Sequence, residues 1–479
     1  RWALDRLVAA ARETQREFGT IGADGDPLLG GPALDDETRR ELHLRRFRQQ
    51  ATRAARETAY YGRLFAHLSL DPARLRYDDI QHLPPTPKAA LRADPDAFVR
   101  RTARPQLRCL TTGTTGSPTG VYFSAAELHA MVALSALGFL LHRQIEPTDV
   151  VHLGTSAGAT LGNLGLAGAC ARIGALADPA GLVEPARTLA LLAEPRRLAG
   201  KKPRASILST YPSYLGQLVE CGLRLGYRPA DFGLERIFLG GELATAGLLR
   251  RCRALFGAVE CVESYAMTET LPFGGARCEG GHLHFEASHG LLEVRDPETG
   301  APARAGEAGT LVATPLPPYR ETTLLLRYDT EDVVRPLAGP LGCGLRTLTA
   351  TTNLLGKLPL AVRHADGWTF PRDVAEALEA VEAVPLPARY GFRAVPGGVA
   401  VEVVARHDGA AARRAIAAAL EGRGVPLRAL RVVAEPNELQ RPVPLRCDLR
   451  ETGFGTPARA AAPADGPSAG TPRPPVAAR

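Results

Sequence analysis

The residues best suited to chemistry sit in one short run, Thr111-Thr112-Gly113-Thr114-Thr115-Gly116-Ser117-Pro118-Thr119-Gly120. Glycines let a backbone turn tightly and aim several N–H groups at one point, and the hydroxyls add further donors, which together suit a polyphosphate. The run lacks Gly-Lys-Ser/Thr, so it is not a Walker A loop. A flexible surface turn has a similar composition, and the loop alone leaves both readings open.

Three further groups could share such a site. In Ser264-Tyr265-Ala266-Met267-Thr268-Glu269-Thr270 a tyrosine can stack on a base, Thr268 can bond a phosphate, and the Glu269 carboxylate can hold Mg²⁺. The same residues could begin a helix, with Thr268 or Glu269 in the first turn. Gly240-Gly241-Glu242 closes an apolar stretch ending at Leu239, the position where parallel sheets bind ligands. Tyr328-Asp329-Thr330-Glu331-Asp332 offers carboxylates for ribose hydroxyls, or is only a solvated acidic turn.

The elements that must position these residues follow from pattern. Asp36 to about His67 is Pro-free, with Leu42, Leu44, Phe47, Ala51 and Ala55 at helical spacing, and predicts one amphipathic helix. Leu83-Pro84-Pro85-Thr86-Pro87-Lys88 forbids helix and predicts an extended turn before another short helix. Short apolar stretches at 150–153, 205–208, 236–239 and 259–262 alternate with helical runs, which implies crossover units and a largely parallel sheet. Strands at 291–294 and 310–313 suggest a second, more antiparallel sheet. After Gly356 the pattern restarts: helix 371–381, strand 399–404, helix 409–420, strand 430–433.

The fold class expected is therefore α/β: a large N-terminal domain over 1–355 with parallel and mixed sheets, flanking helices and a β region, and a small C-terminal α+β domain over 356–455. Residues 456–479, rich in Ala, Pro and Gly, read as a disordered tail. At 479 residues the chain exceeds what one core of about 250–300 residues fills. A net charge of +7 is spread without a dense basic block, which argues against nucleic acid as partner. The eight cysteines contain no C-x-x-C pair, the first residues are charged, and the longest apolar stretch, Met131 to Leu141, falls far short of the roughly 20 residues that span a bilayer. No membrane role and a cytoplasmic location are expected.

In order and spacing, the loop, the Gly-Gly-Glu, the Tyr-Ala-Met-Thr-Glu and the Tyr-Asp-Thr-Glu-Asp resemble the acyl-adenylate-forming (AMP-binding) superfamily, and most closely its phenylacetate–coenzyme A ligase branch. Tyr60 to Phe65, Asp71-Pro72, Leu83-Pro84, Lys88 to Arg92 and Thr210 to Tyr214 resemble that branch specifically. The resemblance covers about 40–450. It implies that Thr111, Thr112, Gly113, Thr114, Thr115 and Gly116 hold ATP phosphates, that Gly240, Gly241, Glu242 and Tyr265 flank adenine, and that Asp332 binds ribose. Thr268 would contact the α-phosphate and Glu269 would ligate Mg²⁺. The reaction implied is attack of a small carboxylic acid on the α-phosphorus, release of pyrophosphate, and transfer to coenzyme A. The stretch 155–177 corresponds to the lining of the family's acid pocket. The small domain would be mobile, and a homodimer is allowed for.

Departures from the family follow. Its lysine near the C-terminus, which reaches the α-phosphate, has no counterpart: no lysine follows Lys357. In the matching stretch, 439–450, Arg441 or Arg446 supplies the nearest positive charge, and Arg441 is taken as the catalytic cation, although arginine's planar fork differs from a lysine point charge. Gly356-Lys357 replaces the usual Gly-Arg of the hinge, with Lys357 kept among the nucleotide-binding residues, and Leu358-Pro359 follows where an acidic residue is usual. Three readings result: a ligase using arginine, an enzyme condensing the acid with an amine or nitrite, or an inactive relative. The branch often binds zinc, and Cys278, His284 and Cys343 match three of its ligand places; Leu341 stands at the fourth, which leaves His282 as a substitute. A rival of another class is Gly154-Thr155-Ser156-Ala157-Gly158, a G-x-S-x-G elbow with Ser156 as a hydrolase nucleophile.

Overall fold

The computed structural model describes residues 36–111, 118–156, 158, 160–286, 289–339, 341–345, 348–365 and 367–447, together with 5, 6, 8 and 9. The expected tail at 456–479 lies outside the described residues. The N-terminal helix is two helices, α1 (Asp36–Glu57) and α2 (Ala59–Leu68). Thr58 breaks it: its backbone is extended and its hydroxyl accepts from the N–H of Tyr61, a standard N-cap that restarts the helix in a new direction. The turn is fixed from the far side, because the Tyr61 hydroxyl bonds to Thr86 at 2.8 Å and receives the Leu326 N–H at 2.7 Å.

After the one-turn α3 (Tyr77–Ile80), the proline-rich stretch runs extended, as the sequence predicts. Thr86 takes up bridge pairing with Tyr328, and the chain enters α4 (Lys88–Ala93). A hairpin of β1 (Leu107–Leu110) and β2 (Gly120–Phe123) leads to α5 (Ala125–Leu141), which starts from a Ser124/Glu127 capping box.

Then come β3 (Val150–Gly154), α6 (Thr160–Ile173), β4 (Leu176–Asp178), α7 (Pro185–Ala193), β5 (Ile207–Thr210), α8 (Pro212–Leu225), β6 (Arg236–Gly240), α9 (Ala246–Phe256) and β7 (Glu260–Tyr265). The crossovers make β4-β3-β5-β6-β7 parallel, as the alternation of apolar stretches requires. Beyond β7 the sheet turns antiparallel through β8 (Gly275–Arg277), β9 (Leu283–Phe285) and β13 (Thr349–Thr351). A second, antiparallel sheet joins β10 (Gly290–Arg295), β11 (Gly309–Pro315), β12 (Tyr328–Val334) and β14 (Gly356–Lys357).

The C-terminal unit holds the hairpin β15 (Val362–His364) and β16 (Gly367–Thr369), then α10 (Pro371–Glu379), β17 (Tyr390–Val395), β18 (Gly398–Val404), α11 (Ala410–Gly422) and β19 (Leu427–Val433), with sheet order β17-β18-β19. It has its own core around Val374, Leu378, Val401 and Ile416. It is docked closely on the rest. A Cβ on Gly247 of α9 would stand 2.4 Å from the Glu379 carbonyl oxygen, and one on Gly216 of α8 would stand 2.8 Å from the Pro387 nitrogen. Two helix glycines, one in the first turn of α9 and one within α8, thus let backbone meet backbone. Glu379, 7% exposed, accepts from the Thr245 hydroxyl and from the Ala388 N–H, and Cys447 is wholly buried in the core beneath α8.

Candidate active site

One cavity of about 1630 Å³ opens where the parallel strands end and the small unit docks. Its lining includes Thr111, Gly240, Gly241, Glu242, Tyr265, Thr268, Glu269, Asp332 and Lys357, so residues spread over more than two hundred positions meet in one place. The β1–β2 hairpin carries the glycine- and threonine-rich run. Its base is closed by the Thr111 N–H to the Thr119 carbonyl at 2.9 Å and the Thr119 N–H to the Thr111 hydroxyl at 3.0 Å. Thr112, Gly113, Thr114, Thr115, Gly116 and Ser117 lie outside the described residues.

A hydrogen-bonded relay crosses from the first sheet to the second. The Tyr265 hydroxyl donates to Asp332 at 2.9 Å, and Asp332 pairs with the Lys357 ammonium at 2.7 Å. Lys357 also reaches the Thr330 carbonyl at 3.0 Å. Burial, and then the Asp332 charge, push the Tyr265 phenol well above its ordinary pKa, so it stays a donor at neutral pH. Pairing of β12 with β14 places Lys357 opposite Asp332 in register.

Glu269 is 2% exposed and receives the Tyr328 hydroxyl at 3.1 Å. The Lys88 ammonium stands 3.4 Å from its carboxylate. Lys88 gets there because the proline-rich segment pairs with the start of β12 and delivers the first residue of α4 to the cavity wall. The sequence reading included Lys88 only as part of a branch-specific stretch; no local signal pairs it with Glu269.

The last described residues correct one expectation. Arg441 is exposed and does not line the cavity, because its segment is spent on bridge pairing between Pro442 and Gly391. Arg446 does line it. Its backbone N–H is accepted by Glu242, its Nε donates to the Gly241 carbonyl, and its guanidinium lies 5.8 Å from the Tyr211 ring centroid. Gly241 sits at φ +82°, and a Cβ there would meet Arg446 Nε at 2.9 Å, so glycine both makes the turn and admits the guanidinium. Glu242 additionally accepts the Ser213 N–H at 2.8 Å, which ties α8 to this corner.

The Ser156 elbow has no catalytic partner among the described residues. The Ser156 hydroxyl bonds to the Tyr211 hydroxyl at 3.1 Å, and the nearby His152 is buried in β3 against Asp178 at 3.2 Å.

Cys278, His282, His284 and Cys343 bring one ligand atom each to within 4.8 Å of one another. The Cys343 sulfur lies 3.4 Å from His284 Nε2. The β8–β9 hairpin supplies the first three and the loop before β13 the fourth, so His282 joins the three residues at the expected ligand places.

Known proteins resemble this chain in sequence and in fold. The family model for AMP-binding enzyme matches residues 74–314. The phenylacetate-coenzyme A ligase of Thermus thermophilus is 28% identical over 361 residues, covering 74% of this chain and 78% of its own. Among solved structures, 2-hydroxyisobutyryl-CoA ligase in the postadenylation state superimposes with a TM-score of 0.69 at 20% identity, covering 85% of this chain and 87% of that one. The same ligase in the thioesterification state gives 0.58 at 21% identity, over 85% and 89%. These two share the fold. The chain belongs to the AMP-binding enzyme family and is an ATP-dependent ligase.

Proposed function

We propose that this enzyme activates an aryl or related small carboxylic acid with ATP, forming an acyl adenylate and releasing pyrophosphate, and then passes the acyl group to coenzyme A. The observation that carries the reading is the convergence of Gly240–Glu242, Tyr265, Asp332 and the Lys88–Glu269 pair on one cavity. Gly240 and Gly241 offer a flat backbone face to adenine, and the Asp332 carboxylate, held by Tyr265 and Lys357, accepts from ribose hydroxyls. Thr268 faces the α-phosphate. Lys88 and Arg446 are cations fixed at the cavity wall, where preorganised positive charge stabilises the charge that develops on the transferring phosphorus centre. Holding acid and ATP together supplies the rest of the acceleration through proximity.

Glu269 would hold Mg²⁺, which takes one or two carboxylates with substrate phosphates, and the buried carboxylate on the cavity wall fits that demand. Bound there, the ion would neutralise phosphate charge. The Cys278, His282, His284 and Cys343 set fits a closed structural zinc site in ligand type and number: two sulfurs and two imidazoles whose ligand atoms all lie within 4.8 Å of one another. Its role would be to tie the β8–β9 turn to the loop that lines the cavity.

The division near residue 355, rotation of the small domain between half-reactions and a cytoplasmic location belong to the same reading. Among the described residues no helix is long and apolar enough to cross a membrane. The test is pyrophosphate release from ATP across a panel of aryl and alkyl acids, with mass spectrometry of adenylate and coenzyme A thioester. Tight ATP binding without pyrophosphate release from any acid would remove the ligase reading.

A further inference from the structure

We infer that the acid-binding half of the cavity is built for an aryl carboxylic acid bearing a hydroxyl or amino substituent at the end away from its carboxylate. The inference rests on the acid-activating reading above and narrows the class of acid.

Two helices and the sheet face form this half. On α5 and its C-cap, Met131, Ser135, Phe139 and His142 recur at spacings of four, four and three and all line the cavity, so one stripe of the helix and its cap form the wall. The facing stripe of α6 is opened by glycine. A Cβ on Gly162 would meet nothing within 4 Å, whereas one on Gly168 would stand 2.7 Å from Val132 Cγ1. Gly168 therefore lets the two helices close up, and Gly162 leaves a slot beside the closed contact. Each glycine in a helix interior disfavours helix relative to alanine. On the sheet side, the Phe238 ring stacks on Phe139 with centroids 5.5 Å apart and planes 10° from parallel. Slot and flat aromatic wall together suit a planar ring.

The polar groups divide sharply between the two ends. Near the nucleotide they satisfy each other: Thr155 bonds Asn163, Asn163 donates to the Ser156 carbonyl at 3.1 Å, and Ser156 bonds Tyr211. At the other end, the side chains of His142 and Gln144 line the cavity, with Ser135 partway along the wall, and hydrogen-bond no described residue. Topology fixes which end is which. Residues 142–149 connect α5 to β3, so His142 and Gln144 stand at the N-terminal ends of the parallel strands, while Thr155, Tyr211 and Gly240 stand at the C-terminal ends. Met131 to His142 spans about 16 Å along the helix, and Phe238 lies about 7 Å before Gly240 on β6. An acid reacting beside Thr268 thus lays its ring against Phe139 and Phe238 and ends at His142 and Gln144. His142 is exposed at the cavity wall, and the protein around it lowers its pKa, which favours a neutral imidazole able to donate and to accept. A purely apolar acid would leave these groups facing hydrocarbon, which is the source of discrimination in sites built around polar groups.

The test compares 3-(4-hydroxyphenyl)propanoate with 3-phenylpropanoate by calorimetry on the full chain with a non-hydrolysable ATP analogue. The hydroxylated acid is expected to bind about tenfold more tightly. In H142A/Q144A the ratio should fall to about threefold or less. Equal affinities in the wild type, or a ratio that survives the double substitution, would overturn the inference. Binding is read without turnover, so pyrophosphate release measured in parallel judges the ligase reading separately.

Discussion

The Lys88 ammonium lies 3.4 Å from the Glu269 carboxylate, and the two side chains are only 9% and 2% exposed. A buried ion pair contributes little net stability, yet removing one partner leaves a charge stranded away from water. K88M should therefore destabilise the fold by about 3 kcal/mol. Adding E269Q should recover most of that loss, since no charge is then stranded. Pyrophosphate release should fall at least about a hundredfold in K88M and stay low in the double variant, because both groups line the cavity proposed to hold the ATP phosphates. Chemical denaturation alongside a pyrophosphate assay separates the two effects; a double variant that regains activity would mean the pair is structural only.

Among the described residues of the C-terminal segment, Arg446 and not Arg441 lines the cavity. R446A should lower kcat of pyrophosphate release by about a hundredfold, whereas R441A should stay within about twofold of wild type. R446K should recover only part of the loss, because an ammonium cannot keep the Gly241 contact and also reach forward as the fork does. Steady-state kinetics of the three variants decide this, and equal losses in R446A and R441A would refute it.

Docking of the small unit depends on Gly247 and Glu379. G247A should cost about 1–3 kcal/mol of overpacking, since its Cβ would collide with the Glu379 carbonyl. Hydrogen exchange should rise across 376–388 and 242–251. Burial raises the Glu379 pKa above the ordinary carboxylate range. A group with a raised acid pKa binds its proton more tightly folded than unfolded, so its contribution is full at low pH and declines as pH climbs from about 4.5 through the raised value. In E379Q that slope should disappear. A melting temperature with the same pH slope in both proteins would contradict the assignment.

The four-ligand cluster makes a prediction independent of turnover. The purified protein should carry about one equivalent of zinc. A strong chelator, C278S or C343S should each remove it and lower the melting temperature, because a structural metal contributes folding free energy. Elemental analysis with thermal scans checks both, and a metal-free protein of unchanged stability would discard the site.

Much of the frame was legible in the linear order of residues. Alternating apolar stretches and helical runs require a parallel sheet, and β3, β5, β6 and β7 fall at or within a few residues of the stretches at 150–153, 205–208, 236–239 and 259–262. Gly240–Glu242 and the segment around Tyr265 announced themselves because glycine turns and acidic or hydroxyl residues at strand ends are local signals, whereas Tyr328 to Asp332, readable as a solvated acidic turn, runs inside β12 with Asp332 buried. The break at Thr58 was not announced. Its cap is local, but the direction of the new helix is set by the Tyr61 hydroxyl reaching Thr86 and Leu326, a contact 265 positions away in sequence for Leu326.

What the sequence by itself determined is therefore what depends on neighbours along the chain: periodicity, turn chemistry and the types of residue at strand ends. Only the tertiary structure decided the partners. Lys88 meets Glu269 because a proline-rich strap pairs with β12. Arg446 replaces Arg441 because pairing at Gly391 fixes one and leaves the other to dock on Gly241. Ser135, His142 and Gln144 gain meaning only once a glycine-lined helix stands opposite them. These contacts join segments far apart in sequence, and their geometry depends on how whole elements pack, which no local pattern encodes.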